Sequence, residues 1–263
     1  MKTIKELHEF TWDMIRGLPY SYYCYINKID HKIIHKPGLE SIYCFNSENK
    51  TSQEFNSIND LSTYNYDRPD FTLKRWSPPP LKKIYKNKFT TTKPLVVIQN
   101  KYTYEWQQGI FNFFSLEVLD QLFNLLKNKY NVVYIRPDGN SKGYFKDKNK
   151  IKQFKDYELI KNNHPEIILF NDLLKKSPEI DYNILQFIVE ANSEKHITVS
   201  GGNACVASYF GGDVIIYDSP NGHGANRGIW KTGSWLKLLS SANIYGVNDY
   251  SNLLNKVKTL WIS

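Results

Sequence analysis

Beyond Pro94 the chain alternates short apolar runs with segments of helical periodicity, and that alternation restricts it to folds built on a parallel sheet. Leu95–Gln99 (LVVIQ) is apolar almost throughout, as a strand covered on both faces must be. Ser115 stands where an N-cap belongs. Leu116, Leu119, Leu122, Phe123 and Leu126 then recur at three and four, predicting a helix with one buried face that runs to Lys129. Asn131–Ile135 (NVVYI) is a second strand, ended by the turn residues Pro137-Asp138-Gly139. The pattern continues with strands at 167–170 (IILF), 196–199 and 214–217 (VIIY), helices at 182–191 and 204–209, and a closing helix at 250–260. Strands joined in this way lie parallel, with right-handed crossovers.

Residues 1–93 are less regular. The runs at 20–26 (YSYYCYI) and 41–45 (SIYCF) are aromatic and β-branched, which predicts two strands pairing in a small antiparallel unit. Residues 46–70 are polar and turn-rich, and Ser77-Pro78-Pro79-Pro80 can continue neither a helix nor a central strand. The expected fold class is α/β: a Rossmann-like parallel sheet with helices on both faces over residues 94–263, preceded by a small irregular α+β unit with a Pro-rich connector over residues 1–93.

Composition narrows the partners. With 41% hydrophobic and 15% aromatic residues the chain can bury a core, which excludes a disordered protein. A net charge of +8 favours anionic ligands. The lysines are scattered, however, and tracts such as 146–155 read as solvated surface. The N-terminal tyrosines alternate as strand packing does, which argues against nucleic-acid binding. The three cysteines, Cys24, Cys44 and Cys205, have no CxxC spacing, so neither a disulfide framework nor a zinc site is expected, and no metal ligands are assigned. No signal-like run opens the chain and no stretch of about 18 apolar residues occurs, so the expectation is a cytoplasmic protein without a transmembrane segment.

In an open parallel sheet, ligands bind at the carboxyl ends of the strands. Four segments should converge there: 100–106, 136–139, 200–204 and 218–227. Ser200, Gly201, Gly202 and Asn203 form a strand-to-helix turn whose two glycines let the backbone approach an anion such as a diphosphate. The same turn serves equally as tight chain reversal with Asn203 or Ser200 capping. It is neither a GxGxxG fingerprint nor a Walker loop. Arg136 and Lys101, each just past a strand, are candidates for phosphate contact, with surface ion pairs as the alternative. Glu105 is a candidate base or ribose acceptor, or else a helix-start carboxylate. His223, between two glycines, is a candidate base or ligand contact; Asp218 and Asn226 share its loop. Cys205 at a helix start reads as a buried cysteine in preference to a nucleophile, because no histidine is placed beside it.

The segments LVVIQNKY, NVVYIRPDG, HPEIILFNDLL and HITVSGGNACVASYFGGDVIIYD, spread over residues 95–260, resemble the C-terminal, nucleotide-sugar half of GT-B glycosyltransferases, especially the fucosyltransferase-like and related families. The resemblance implies a metal-independent transferase that uses a nucleotide-sugar donor as substrate, needs no cofactor, and glycosylates a glycan or other hydroxyl acceptor. It further implies that Arg136 and the amides of residues 200–204 stabilise the leaving diphosphate, that Lys101 assists, and that Asn203, Asp218 and Asn226 contact the ribose or base. Such enzymes draw their acceptor site from a second Rossmann domain, for which 93 irregular residues are too few. The acceptor site would then come from the N-terminal unit, with His8, His31 and His35 as base candidates, or from a homo-oligomer or partner subunit. A non-catalytic nucleotide-sugar or glycan-binding module is the alternative.

Overall fold

The structure, a computed structural model, describes residues 2–6, 10–43, 45, 49–51, 75–105, 109–137, 144, 150–221 and 235–263. It divides into two compact units. One comprises residues 1–80, 139–147 and 181–184; the other comprises 81–138, 148–180 and 185–263.

In the first unit, strands β1 (Lys2–Glu6), β2 (His31–His35) and β3 (Asn49–Thr51) form a sheet in that order. Both pairings are parallel, with Ile4 opposite Ile33 and Ile33 opposite Asn49. The expected antiparallel pair is therefore corrected. Residues 20–26 are not a strand: they belong to α2 (Leu18–Ile26), the last part of a helical run that starts with α1 (Phe10–Trp12) and passes through the wider coil Asp13–Gly17. Burial decides the matter, since Leu18, Ser21 and Cys24 face inward at intervals of three, while Tyr25 and Ile26 are exposed. Aromatic content suggested a pleated surface, but parallel β1 and β2 cannot be joined by a tight hairpin and need a crossover, which this helix supplies. The second expected strand is also replaced, by a 3-10 turn at Glu40–Tyr43 that buries Ile42 and Tyr43.

The second unit carries the parallel sheet. Its strands are β4 (Leu95–Gln99), β7 (Asn131–Ile135), β9 (Ile168–Leu169), β10 (Lys195–Val199), β11 (Asp213–Tyr217) and β12 (Asn243–Val247), and they lie in the order β12-β11-β10-β4-β7-β9. Numbered within the unit, that order reads 6-5-4-1-2-3, the doubly wound Rossmann arrangement with its switch point between the first and fourth strands, β4 and β10. A separate antiparallel sheet joins β5 (Thr103–Glu105) to β6 (Gly109–Ile110) and β8 (Lys150–Ile151).

Side-chain alternation distributes the helices. Val96 and Ile98 of β4, with Val132, Tyr134, Ile197, Val199 and Ile215, form one apolar layer with Leu119, Leu122, Phe123 and Leu126 of α4 (Leu116–Leu126) and Leu253 and Val257 of α9 (Tyr250–Val257). Gln99, the residue after Ile98, points to the opposite face, where α7 (Tyr182–Ala191) meets it through Glu190. Helix α4 begins as its pattern requires: the Ser115 hydroxyl accepts a hydrogen bond from the Val118 amide at 3.3 Å. β12 was not foreseen. Its sequence, NIYGV, is half-exposed at the sheet edge, too polar to read as a buried strand.

Candidate functional site

The switch point brings together the residues that follow β4 and β10. Lys101 lies two residues past the end of β4, and its Nζ donates to the Ser200 carbonyl at 2.9 Å, crossing from one side of the switch point to the other. Gly201 follows with φ +124°, a conformation that L side chains rarely adopt. A Cβ there would stand 3.2 Å from Lys101 Nζ. The glycine thus leaves room beside the ammonium as well as permitting the turn. Helix α8 (Gly202–Ser208) then leaves, and Asn203 extends its amide toward the Asn100 carbonyl at 3.5 Å. Lys101, Ser200, Gly201, Gly202 and Asn203, all picked from sequence, are accordingly gathered in one place.

A buried chain of hydrogen bonds supports this edge. The Asn100 Oδ1 accepts from the Lys101 and Phe114 amides, each at 2.9 Å, and its Nδ2 donates to the Tyr134 hydroxyl at 3.0 Å. Tyr134 donates in turn to Asp156 Oδ2 at 2.6 Å. Asp156, fully buried as the first residue of α5 (Asp156–Asn163), also receives both Nε and Nη2 of Arg136, the latter at 2.9 Å. Burial, and then the neighbouring Asp156 charge, raises the Tyr134 hydroxyl well above its ordinary pKa, so it stays a donor. The Arg136 guanidinium is stacked 4.6 Å above the Tyr157 ring. Expected to grip phosphate, Arg136 has the fork of its guanidinium turned to a carboxylate.

The sequence singles out none of Asn100, Tyr134 and Asp156 as site residues, although Asn100 opens the converging segment 100–106. The available signal is Asn100 directly after an apolar strand; Tyr134 is hidden in the apolar run NVVYI, and no local pattern marks Asp156.

The remaining candidates divide. Asp218 is buried just beyond β11, its amide donating to the Val247 carbonyl at 2.9 Å, and the Asn112 side chain accepts from the next amide, Ser219, at 2.7 Å. Glu105 ends β5, but its side chain lies outside the described residues, as do His223 and Asn226 entirely. Cys205 is buried, its thiol donates to the Gly201 carbonyl at 3.4 Å, and burial pushes its pKa up, away from nucleophilic character.

In the first unit, Asp13 is buried in the first turns of the helical run after β1 and accepts from the Tyr43 hydroxyl at 2.7 Å. His35, the last residue of β2, donates from Nδ1 to the Lys36 carbonyl at 2.8 Å and stacks on Tyr43. His31 donates from Nδ1 to the Ile29 carbonyl and meets the Ser21 hydroxyl at 3.1 Å through Nε2. His8 lies outside the described residues.

A family 9 glycosyl transferase from Veillonella parvula superposes with a TM-score of 0.55 over 98% of this chain and 88% of that one, at 7% sequence identity. The two proteins share a fold. No protein-family model matches the sequence, and no curated protein does. The likeness spans nearly the whole chain, N-terminal unit included, where the sequence resemblance covered residues 95–260. Among the described residues no helix is long and apolar enough to cross a membrane.

Proposed function

We propose that the protein is a glycosyltransferase of GT-B type that moves a sugar from a nucleotide-sugar donor to a glycan or other hydroxyl acceptor without a metal ion. The observation that carries this reading is the Lys101–Ser200 bridge at the switch point, with Gly201 leaving space beside the ammonium. Ligands of doubly wound sheets bind at this crevice. A fold shared with a glycosyl transferase agrees with the reading.

In the proposed reaction an acceptor oxygen attacks the anomeric carbon, the bond from that carbon to the diphosphate breaks, and its electron pair leaves on the phosphate oxygen. Lys101 and the backbone at Gly201 and Gly202 stabilise that developing charge, the part a divalent cation would otherwise play. Asn203, Asp218 and Asn226 contact the nucleoside. Arg136, through Asp156, Tyr134 and Asn100, holds the loop that presents Lys101. Glu105 and His223, in segments that follow β4 and β11, are the proposed recipients of the acceptor proton.

Thermal unfolding with a panel of nucleoside diphosphates and their sugars, in the presence of a chelator, tests the reading. One nucleotide class should raise the Tm; a hundredfold excess over Kd stabilises by about 2.7 kcal/mol. Lys101→Ala should abolish the rise while leaving the unliganded Tm nearly unchanged. No shift with any donor at millimolar concentration would refute a preformed donor site.

A further inference from the structure

On the face of the sheet opposite α4, a buried carboxyl ties α7 to β4 beside β10. Glu190, in the last turn of α7 and fully buried, accepts from Gln99 Nε2, the final residue of β4, and from Gln186 Nε2 at 2.9 Å, both on Oε1. Its second oxygen, Oε2, faces His196 Nδ1 of β10 at 3.9 Å, and His196 is itself 1% exposed. Neither Oε2 nor either ring nitrogen of His196 has a hydrogen-bond partner among the described residues. No lysine or arginine among them pairs with Glu190. The other charged groups acting on this corner are Lys82, bound to Glu194 at 2.7 Å, and Asp213, 3.8 Å from Lys195; both bear on His196. A carboxylate here would be a buried charge whose neighbouring base, His196, is itself kept neutral by burial, and such a group stays neutral or opens its surroundings to water.

We propose that Glu190 is a proton-controlled latch, holding α7 against β4 while its carboxyl is neutral and releasing it when it ionises. Burial pushes its pKa up to about 8, opposed by the Gln186 hydrogen bond. Around neutral pH the latch is closed. In alkaline solution the charge must be hydrated, and hydration requires α7 to lift from the sheet at Gln99. That residue lies two positions before Lys101, so release loosens the strand end that presents the proposed donor ligand. The latch itself is a property of the ligand-free core and does not depend on the donor reading.

The test uses the full chain without ligand. Hydrogen exchange of the amides in α7 and at residues 99–102, followed from about pH 6 to pH 9 and corrected for intrinsic rates, should show protection falling about tenfold or more in the wild type as the carboxyl crosses its pKa. Glu190→Gln keeps the acceptor for Gln99 and cannot ionise, so its protection should stay constant. Infrared difference spectra of the two proteins should also reveal a protonated carboxyl at about pH 6 that is lost by about pH 10. This measurement stands even where the variant folds poorly, because a pH difference spectrum of the wild type alone carries the same band. Equal pH profiles in the two proteins, or a Glu190 already ionised at about pH 6, would overturn the latch. Failure of every nucleotide to bind would leave these readouts untouched.

Discussion

Arg136 and Lys101 are equivalent candidates by position, each just past an apolar strand, and the structure gives them different partners. Arg136 is 6% exposed and paired with a carboxylate that is fully buried. Removing one member of such a pair strands the other charge, so Asp156→Ala should cost about 3–5 kcal/mol in urea unfolding, and Arg136→Ala a comparable amount. Loss of ligand binding in Arg136→Ala would therefore say little about phosphate contact, whereas Lys101→Ala breaks no buried ion pair with Asp156 and removes the ammonium that bridges to the Ser200 carbonyl. Gly201→Ala sharpens the contrast. At φ +124° an alanine is strained, by about 1–3 kcal/mol, and its methyl group crowds the Lys101 ammonium. The expected result is a lower Tm together with weaker stabilisation by nucleotide. Full nucleotide affinity in this variant would mean that the space beside Lys101 is not where the ligand sits.

Elements differ in how plainly the sequence announces them, and packing explains which ones do. Leu95–Gln99 and α4 were legible because burial on both faces, or along one stripe, leaves a periodicity that composition alone cannot mimic. Ser115 and Asp249 cap α4 and α9 through their side chains, and replacing either with alanine should cost about 1 kcal/mol by chemical denaturation. At 20–26 the sequence misled, because tyrosines suit a strand and a half-buried helix alike; only the sheet's parallel register, a long-range property, selects the helix. The same limit applies to the site. Glycines and cations next to strand ends could be read, but the bond from Tyr134 to Asp156 joins residues 22 positions apart, and no local pattern encodes it. Gly212 is a quieter example. It has φ +71° at the start of β11, and a Cβ there collides with the Glu194 carbonyl, so Gly212→Ala should destabilise by about 2 kcal/mol or more.

For the whole molecule, the corner of Glu190 and His196 sets how stability responds to pH. His196 is buried, and burial, followed by the charge of Lys82, lowers its pKa to about 3 against an ordinary 6.5, outweighing the Ser193 backbone and the Asp213 charge, which act to raise it. Below pH 6.5 the unfolded chain binds a proton that the folded chain refuses, so stability falls as pH drops from about 6.5 towards 3. Glu190 runs the other way: with a folded pKa of about 8 against 4.5, the folded chain keeps a proton that the unfolded chain releases, and stability falls as pH rises through that window. Between about 4.5 and 6.5 the two slopes oppose each other, so stability should be nearly level there and decline on either side. A net charge of +8 adds self-repulsion in acid, which a single wild-type curve cannot separate from His196. Comparison with His196→Leu can, because the substitution leaves the charge above pH 6.5 unchanged and removes only the buried imidazole. Its Tm should lose less than the wild type's between pH 6.5 and about pH 4, and the difference between the two curves should vanish above pH 7 apart from a constant offset. Parallel acid limbs would assign the decline to surface charge and leave His196 with no part in it.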